Sequence, residues 1–363
     1  MGEDLVSRLF AANLGALDLL SIHIGDQLGF YRSLADDGPA TPTELATRTG
    51  THERYAREWL EQQAATAILT VDDPGGDASE RRYALPSAHA DLLLNKDNLD
   101  FAIGAPLAGA LVAASSAIPQ VLDAFRTGGG VPWGAYGSRL RDGEANFNRG
   151  LYLNVLCQDY FPLIPDAHER LRSQPPARVA DLGCGSGWSS IAIARGYPGC
   201  LVDGFDLDQA SVSLARKNAS EAGVSDRVRF EVADASDPSL GAAPARRGAY
   251  DVVTIFEALH DMSGPVEALV NVRAMLAPGG TAIVMDERVG EEFTAPADDV
   301  ERFMYGWSIL VCLPGGMSQP PAAGTGTVMR PATLRKYAAK AGFRDVVILP
   351  IENDFFRFYR LVA

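Results

Sequence analysis

The stretch 177–190, ARVADLGCGSGWSS, constrains the fold more than any other. An apolar run ending at Asp181 reads as a buried strand, Gly183, Gly185 and Gly187 as a turn, and a helix begins near Trp188. Glycines admit positive φ and let a ligand approach backbone where a Cβ would clash. Strand, glycine turn and helix in this order open a doubly wound sheet, and the turn is where a nucleotide-like ligand sits. Six more strand candidates follow: CLVDGFD, RVRFEVAD, AYDVVTIF, GTAIVMDE, DVVILPI and FFRFYRLVA. Helical stretches separate them until the last pair. The expected fold class is α/β, a Rossmann-like and mostly parallel sheet whose last strand is antiparallel.

Two acids end the next strands. Asp206 follows Gly187 by 19 residues and is placed to accept hydrogen bonds from ribose hydroxyls. Asp234 ends the third strand, where it can accept from an exocyclic amine. Each acid also reads as an ordinary helix N-cap, but together with the glycine turn they converge on one ligand.

The first hundred residues read differently. In TPTELATRTG, Thr41 is the expected N-cap, Pro42 the first helical residue, Glu44 the closing member of a capping box and Gly50 the stop. THERYAREWLEQQAATAIL places Tyr55, Trp59, Leu60, Ala64 and Ala67 at helical spacing, and TVDDPGGDASERRYALP reads as a hairpin. Helix, turn, helix and hairpin make a winged helix, which invites a DNA-binding reading. Residues 1–110 hold 17 acidic and 8 basic side chains, net −9, in a chain of net −14. Phosphate neutralisation is missing, so a dimerisation and substrate-capping module is expected, with no nucleic-acid partner. Residues 101–118 are charge-free but rich in Ala, Gly and Ser, so a buried or subunit-contacting helix is expected and no membrane span. The four cysteines show no metal or disulfide spacing, and the N-terminal stretch lacks signal-peptide architecture, so a cytoplasmic protein is expected. The expected division is 1–125 winged helix, 126–175 a Gly-rich linker plus helices covering the site, and 176–363 the cofactor-binding domain.

Asp181 before the glycines, Asp206 after strand two, and Asp234-Ala235 after strand three resemble, in order, the motifs of class I S-adenosylmethionine-dependent methyltransferases. Asp181 suits the cationic amino group of the methionine part rather than a pyrophosphate. The winged helix, EALHDMSGP, CLPGGM…GTGTVMRP and the terminal FRFYRL extend the resemblance over nearly the whole chain, to a group of actinobacterial methyltransferases. The resemblance implies S-adenosylmethionine as cofactor, held by Asp181, Gly183, Gly185, Gly187, Asp206, Leu207, Asp234, Ala235, Phe256 and Glu257. It also implies a homodimer built through the N-terminal domain and a small-molecule acceptor.

The loop IFEALHDMSGP then places His260, one of five histidines, beside Asp261 where strand four exits towards donor and acceptor. A base of near-neutral pKa suits a nucleophile that must lose a proton. Two other readings stay open: a loop histidine bound to backbone, or His260 and Asp261 as metal ligands. Related α-keto acid C-methyltransferases place a metal-binding His-Asp pair here with a third ligand before CLP. Val311 stands at that third position, and no histidine follows His260, so no metal is expected, though Cys312 is a substitute in principle. Tyr152, Tyr160, Phe256, Tyr305 and Trp307 are expected to wall the acceptor pocket. A cofactor-binding transcription regulator is the rival reading from another class.

Overall fold

A computed structural model describes residues 4–363. It divides into two compact units, one running up to Val112 and including Asp142–Gly150, the other comprising Ala113–Arg141 and Leu151–Ala363.

In the first unit, helices Phe30–Asp36, Pro42–Thr49 and Glu53–Ala65 precede a short hairpin of β1 (Thr70–Asp72) and β2 (Arg82–Ala84). The capping box is present: Thr41 Oγ1 accepts from Glu44 N, and a Glu44 carboxylate oxygen accepts from Thr41 N at 2.9 Å. Trp59 organises the core, with the rings of Phe30 and Tyr31 edge-on at 4.8 and 5.1 Å. Leu60 is fully buried beside it, whereas Tyr55, expected on the same face, is 78% exposed. The offset has a local cause. The narrow apolar stripe follows Ala56, Trp59, Leu60 and Gln63, and at about 100° per residue Tyr55 stands about 140° round the helix from Leu60.

The long helix Leu5–Gln27 departs from a packed unit. Its C-terminal half is anchored: Trp59 Nε1 donates to Ser21 O at 2.9 Å, and Gln62 Nε2 donates to Asp18 Oδ1 at 2.9 Å. Every residue from Leu5 to Leu17 is exposed, among them Leu5, Val6, Leu9, Phe10, Leu14 and Leu17. By length and composition this helix could cross a bilayer, and the bent pair Phe101–Ser116 with Ile118–Thr127 passes the same test.

In the second unit all seven expected strands form: β3 (Arg178–Leu182), β4 (Leu201–Asp206), β5 (Val228–Val232), β6 (Tyr250–Phe256), β7 (Leu276–Glu287), β8 (Asp345–Ile348) and β9 (Phe356–Val362). Their order is β5-β4-β3-β6-β7-β9-β8. The first five are mutually parallel, and β9 runs antiparallel between β7 and β8. The central strands are buried on both faces, so β3 and β6 read as continuous apolar runs rather than alternating ones.

The Gly-rich stretch 126–138 is not a flexible linker. Only residues 128–132 lie outside helices, between Ile118–Thr127 and the 3₁₀ turn Trp133–Tyr136. Val131 N donates to Pro314 O at 2.9 Å and the buried Tyr136 hydroxyl donates to Leu310 O at 2.8 Å. A Cβ on Gly130 would collide with backbone of Pro314, Met317 and Ser318, so this glycine serves close approach rather than mobility. The charge-free stretch 101–118 forms a 3₁₀ turn and helix Ala105–Ser116, with Ala108 and Ala114 fully buried.

Candidate active site

The glycine turn sits at the C-terminal end of β3, beside the ends of β4 and β6. Gly183, Gly185 and Gly187 all take positive φ, at 70°, 50° and 82°. Their surroundings differ. A Cβ on Gly187 would meet Phe230 Cζ and Ala215 Cβ at 2.5 and 2.9 Å, and one on Gly183 would overlap Ala258 Cβ. Gly185 has nothing within 4 Å of that position, so its backbone faces open space. The outer two glycines therefore let the turn pack, and the middle one leaves room for a ligand.

Asp206 organises that turn. Its Oδ2 accepts from Gly185 N and its Oδ1 from Asp208 N, both at 2.8 Å. Burial raises its pKa, and the two backbone donors work against that rise. Each oxygen retains a second lone pair for hydroxyl donors. Leu207 follows with its side chain 53% exposed, and Ala235 is buried beyond Asp234. Asp234 Oδ1 accepts from Ser236 N at 2.7 Å. Asp208, rather than Asp206, caps the next helix, and Arg141 Nε donates to it at 2.8 Å.

Asp181 is placed otherwise than expected. It is 1% exposed, and it accepts from Ser189 Oγ at 2.6 Å, Ser190 Oγ at 2.7 Å and Thr254 Oγ1 at 2.8 Å. A carboxylate set among three hydroxyls fastens β3 to β6 and to the helix start. Burial raises its pKa while these donors oppose the rise.

The loop after β6 packs onto the turn through Ala258. Glu257 takes φ 51°, a conformation strained for a side-chain-bearing residue, with its N–H donating to Met285 O at 2.8 Å. The backbone then forms the 3₁₀ turn Leu259–Asp261 and buries His260 to 2% exposure. His260 Nδ1 lies 3.0 Å from Asp286 Oδ1. A carboxylate only accepts, so Nδ1 carries a proton and donates, and Nε2 faces Asp261 and Cys312. Nε2 lies 3.4 Å from Asp261 Oδ1. Burial alone would pull the imidazole pKa down, but the carboxylates of Asp286 and Asp261 outweigh it and hold it well above 6.5.

Asp286 was not singled out from sequence. β6 and β7 pair Phe256 with Met285, so β7 carries Asp286 alongside the loop in which β6 ends. An acid ending an apolar strand was the same signal that marked Asp206 and Asp234. Cys312 was weighed only as a substitute for Val311. The segment Ser308–Cys312 is π-helical, and the wider turn buries Val311 at 2% exposure and brings Cys312 to the histidine. Ligand atoms of His260, Asp261 and Cys312 all lie within 4.8 Å of one another. Asp261 Oδ1 and Asp286 Oδ2 are buried without a hydrogen bond. Burial pushes the Cys312 thiol pKa up, with Asp261 adding to the rise.

The aromatic residues do not form one wall. Tyr152 stacks on Phe256 at 6.0 Å, Phe256 meets Phe358 at 6.3 Å, and Tyr160 meets Phe358 at 5.0 Å, giving one row. Trp307 belongs to a second group with Phe303 and Phe355. Tyr305 is drawn aside, its hydroxyl 3.3 Å from Arg330 Nη2.

A methyltransferase-domain family model matches residues 174–314, and an Rv2258c-like winged HTH domain matches residues 15–95. The ubiquinone biosynthesis O-methyltransferase of Marinobacter nauticus is 33% identical over 107 residues, 30% of this chain and 42% of that protein. The 27-O-demethylrifamycin SV methyltransferase of Amycolatopsis mediterranei is 33% identical over 109 residues, 30% of this chain and 38% of that protein. The chain thus spans less than half the length of these curated relatives. Among solved structures, a putative O-methyltransferase from Nostoc punctiforme superposes with TM-score 0.71 at 16% identity, covering 100% of both chains. Human N-acetylserotonin methyltransferase, solved in complex with S-adenosylmethionine, superposes with TM-score 0.70 at 19% identity, covering 100% of this chain and 99% of that one. These distant likenesses carry the fold, and the matched domains carry the motifs. Residues 174–314 thus carry a methyltransferase domain, and residues 15–95 a winged-helix domain of the Rv2258c-like kind.

Proposed function

We propose that the protein transfers the methyl group of S-adenosylmethionine to a small-molecule acceptor, in the first instance at oxygen, with His260 as general base or orienting group. The observation that carries this reading is the contact of Ala258 with Gly183, which packs the loop carrying the buried, carboxylate-held His260 onto the glycine turn. The residues fit S-adenosylmethionine: Gly185 leaves backbone bare, and Asp206 and Asp234 offer acceptors at the ends of neighbouring strands. When bound, the cofactor supplies an electrophilic methyl on a sulfonium with a neutral leaving group. Alignment and desolvation of the nucleophile are what remain for the protein to provide. Tyr152 and Phe256 offer π faces suited to a cation. The acceptor proton passes to His260 Nε2, and Asp286 stabilises the imidazolium that forms. The likeness to O-methyltransferases favours oxygen over nitrogen or carbon.

Asp206→Ala is expected to weaken S-adenosylhomocysteine binding by about 1.5–3 kcal/mol, the range for a lost hydrogen bond to a charged group. Isothermal calorimetry checks this, and an unchanged affinity would remove Asp206 from the cofactor site. Incubating the protein with labelled S-adenosylmethionine and a panel of phenols, hydroxyquinones and hydroxy acids then tests the acceptor class by mass shift.

A second reading is a metal-assisted C-methylation of an α-keto acid. The grouping of His260, Asp261 and Cys312, with a carboxylate oxygen of Asp261 facing the other two, favours it. These nitrogen, oxygen and sulfur donors suit zinc or iron(II), provided that Cys312 gives up its proton. A regulator acting on DNA draws no such support. In helix Glu53–Ala65, Arg54 and Arg57 are already paired with Glu58 and Glu53.

The homodimer belongs to the same proposal. The exposed turns Leu5–Leu17 bury no apolar surface within their own unit, and an isolated helix of that length is marginal in water. A second copy of the helix is the occupant proposed. Light scattering at micromolar protein should report a dimer, and Leu9→Glu with Phe10→Glu should convert it to monomer. Flotation of the wild type with lipid vesicles, or a monomeric wild type, would refute the dimer.

A further inference from the structure

A groove of about 820 Å³ lies at the opposite end of the sheet from the glycine turn. β6 and β7 begin here and β9 ends here, about 20 Å from the C-terminal strand ends at the rise of an extended chain. Four separate segments bring arginines to it: Arg247 before β6, Arg273 on helix Pro265–Met275, Arg344 before β8 and Arg360 on β9. No aspartate or glutamate side chain lines it. Arg360 is paired with Asp166 at 2.7 Å, and Arg344 Nε donates to Ala363 O at 2.7 Å. Arg247 and Arg273 have no carboxylate within 4.0 Å among the described residues. Gly342, at φ 89°, leaves the space beside the Arg273 guanidinium unfilled, with Nη1 3.3 Å from where a Cβ would stand. Gly279 on the rim likewise has nothing within 4 Å.

The chain as a whole carries net charge −14, so this groove inverts the local sign. Arg247 and Arg273, which lack counter-charges and stand beside the two engaged arginines, gain from an anion that bridges them. Planar guanidinium forks match phosphate oxygens in pairs, and the groove's volume is that of a small-molecule site. Two unpaired guanidiniums on different segments, with Arg344 and Arg360 beside them, fit a chain of phosphates better than a single carboxylate. We propose that this groove binds a polyphosphate-bearing small anion, free or attached to a nucleoside, at a site separate from the cofactor site.

The test uses the full-length protein saturated with S-adenosylhomocysteine, which blocks any nucleoside at the cofactor turn. Calorimetry with inorganic tripolyphosphate, at fixed ionic strength, should give binding at least tenfold tighter than with sulfate. Arg247→Ser with Arg273→Ser should weaken it at least tenfold, with S-adenosylhomocysteine affinity unchanged. ATP forms the second arm: tighter binding than tripolyphosphate, lost in the same variant, identifies a nucleoside polyphosphate, and equal binding identifies the phosphate chain alone. Affinity no better than for sulfate, or equal in wild type and variant, would overturn the proposal.

Discussion

His260→Ala cuts turnover by about 10²–10⁴-fold, the loss expected when a positioned acid–base group is removed. S-adenosylhomocysteine affinity stays within about twofold, because the imidazole contacts the loop and Asp286 rather than the glycine turn. The pH dependence separates a base from a merely structural histidine. The flanking carboxylates raise the imidazole pKa well above 6.5 and so favour the imidazolium. The neutral form able to take a proton grows as pH rises through the raised pKa. The acid limb of kcat/KM should therefore lie above 6.5. Asp286→Asn removes a cause of the rise, so the limb should move to lower pH while the plateau rate falls. A limb that stays in place in Asp286→Asn would sink the base assignment. If the metal reading holds instead, His260→Ala, Asp261→Ala and a chelator cause the same loss, and metal analysis of the wild type finds near one equivalent per chain. Full activity in His260→Ala leaves neither catalytic reading standing.

The second large effect is on stability. Glu301 is 3% exposed, and its Oε1 accepts from Arg330 Nη2 at 2.6 Å while its Oε2 accepts from Gly290 N at 3.1 Å. Arg330 Nη1 also donates to the carbonyls of Gly290 and Glu292 at 2.8 and 2.9 Å. This knot ties helix Asp299–Trp307 to the chain leaving β7 and to the start of helix Pro331–Lys340. Glu301→Gln leaves Arg330 its carbonyl acceptors but removes the charged one, so it should cost about 1.5–3 kcal/mol, the range for a hydrogen bond to a charged group. In a unit of this size the melting temperature should drop on the order of 10 °C. The Arg330 partner lowers the Glu301 pKa below its ordinary 4.5, against the opposing effect of burial. A depressed carboxylate contributes stability that is present above 4.5 and lost as pH falls through the folded value. The variant should accordingly lose part of the wild type's extra sensitivity below pH 4.5. Matched melting curves for wild type and variant at pH 7 would disprove the brace.

Sequence by itself determined what depends on neighbours in the chain. The seven strands, the glycine turn, the capping box at Thr41–Glu44 and the hairpin after helix Glu53–Ala65 each announce themselves by period, cap or turn residue. The acids at Asp206 and Asp234 were legible because a strand end fixes where the next side chain lies. What only the tertiary structure decided depends on contacts between distant segments. Asp181 turns inward because Ser189, Ser190 and Thr254 surround it, two from a helix and one from a neighbouring strand. Asp286 reaches His260 because of the register of β6 on β7, and no local pattern encodes a register between strands. Cys312 replaces Val311 beside the histidine because one stretch of helix winds with π rather than α spacing. The expectation at Val311 rested on the pattern of a similar family, and at this site the wider turn sets which side chain faces the imidazole.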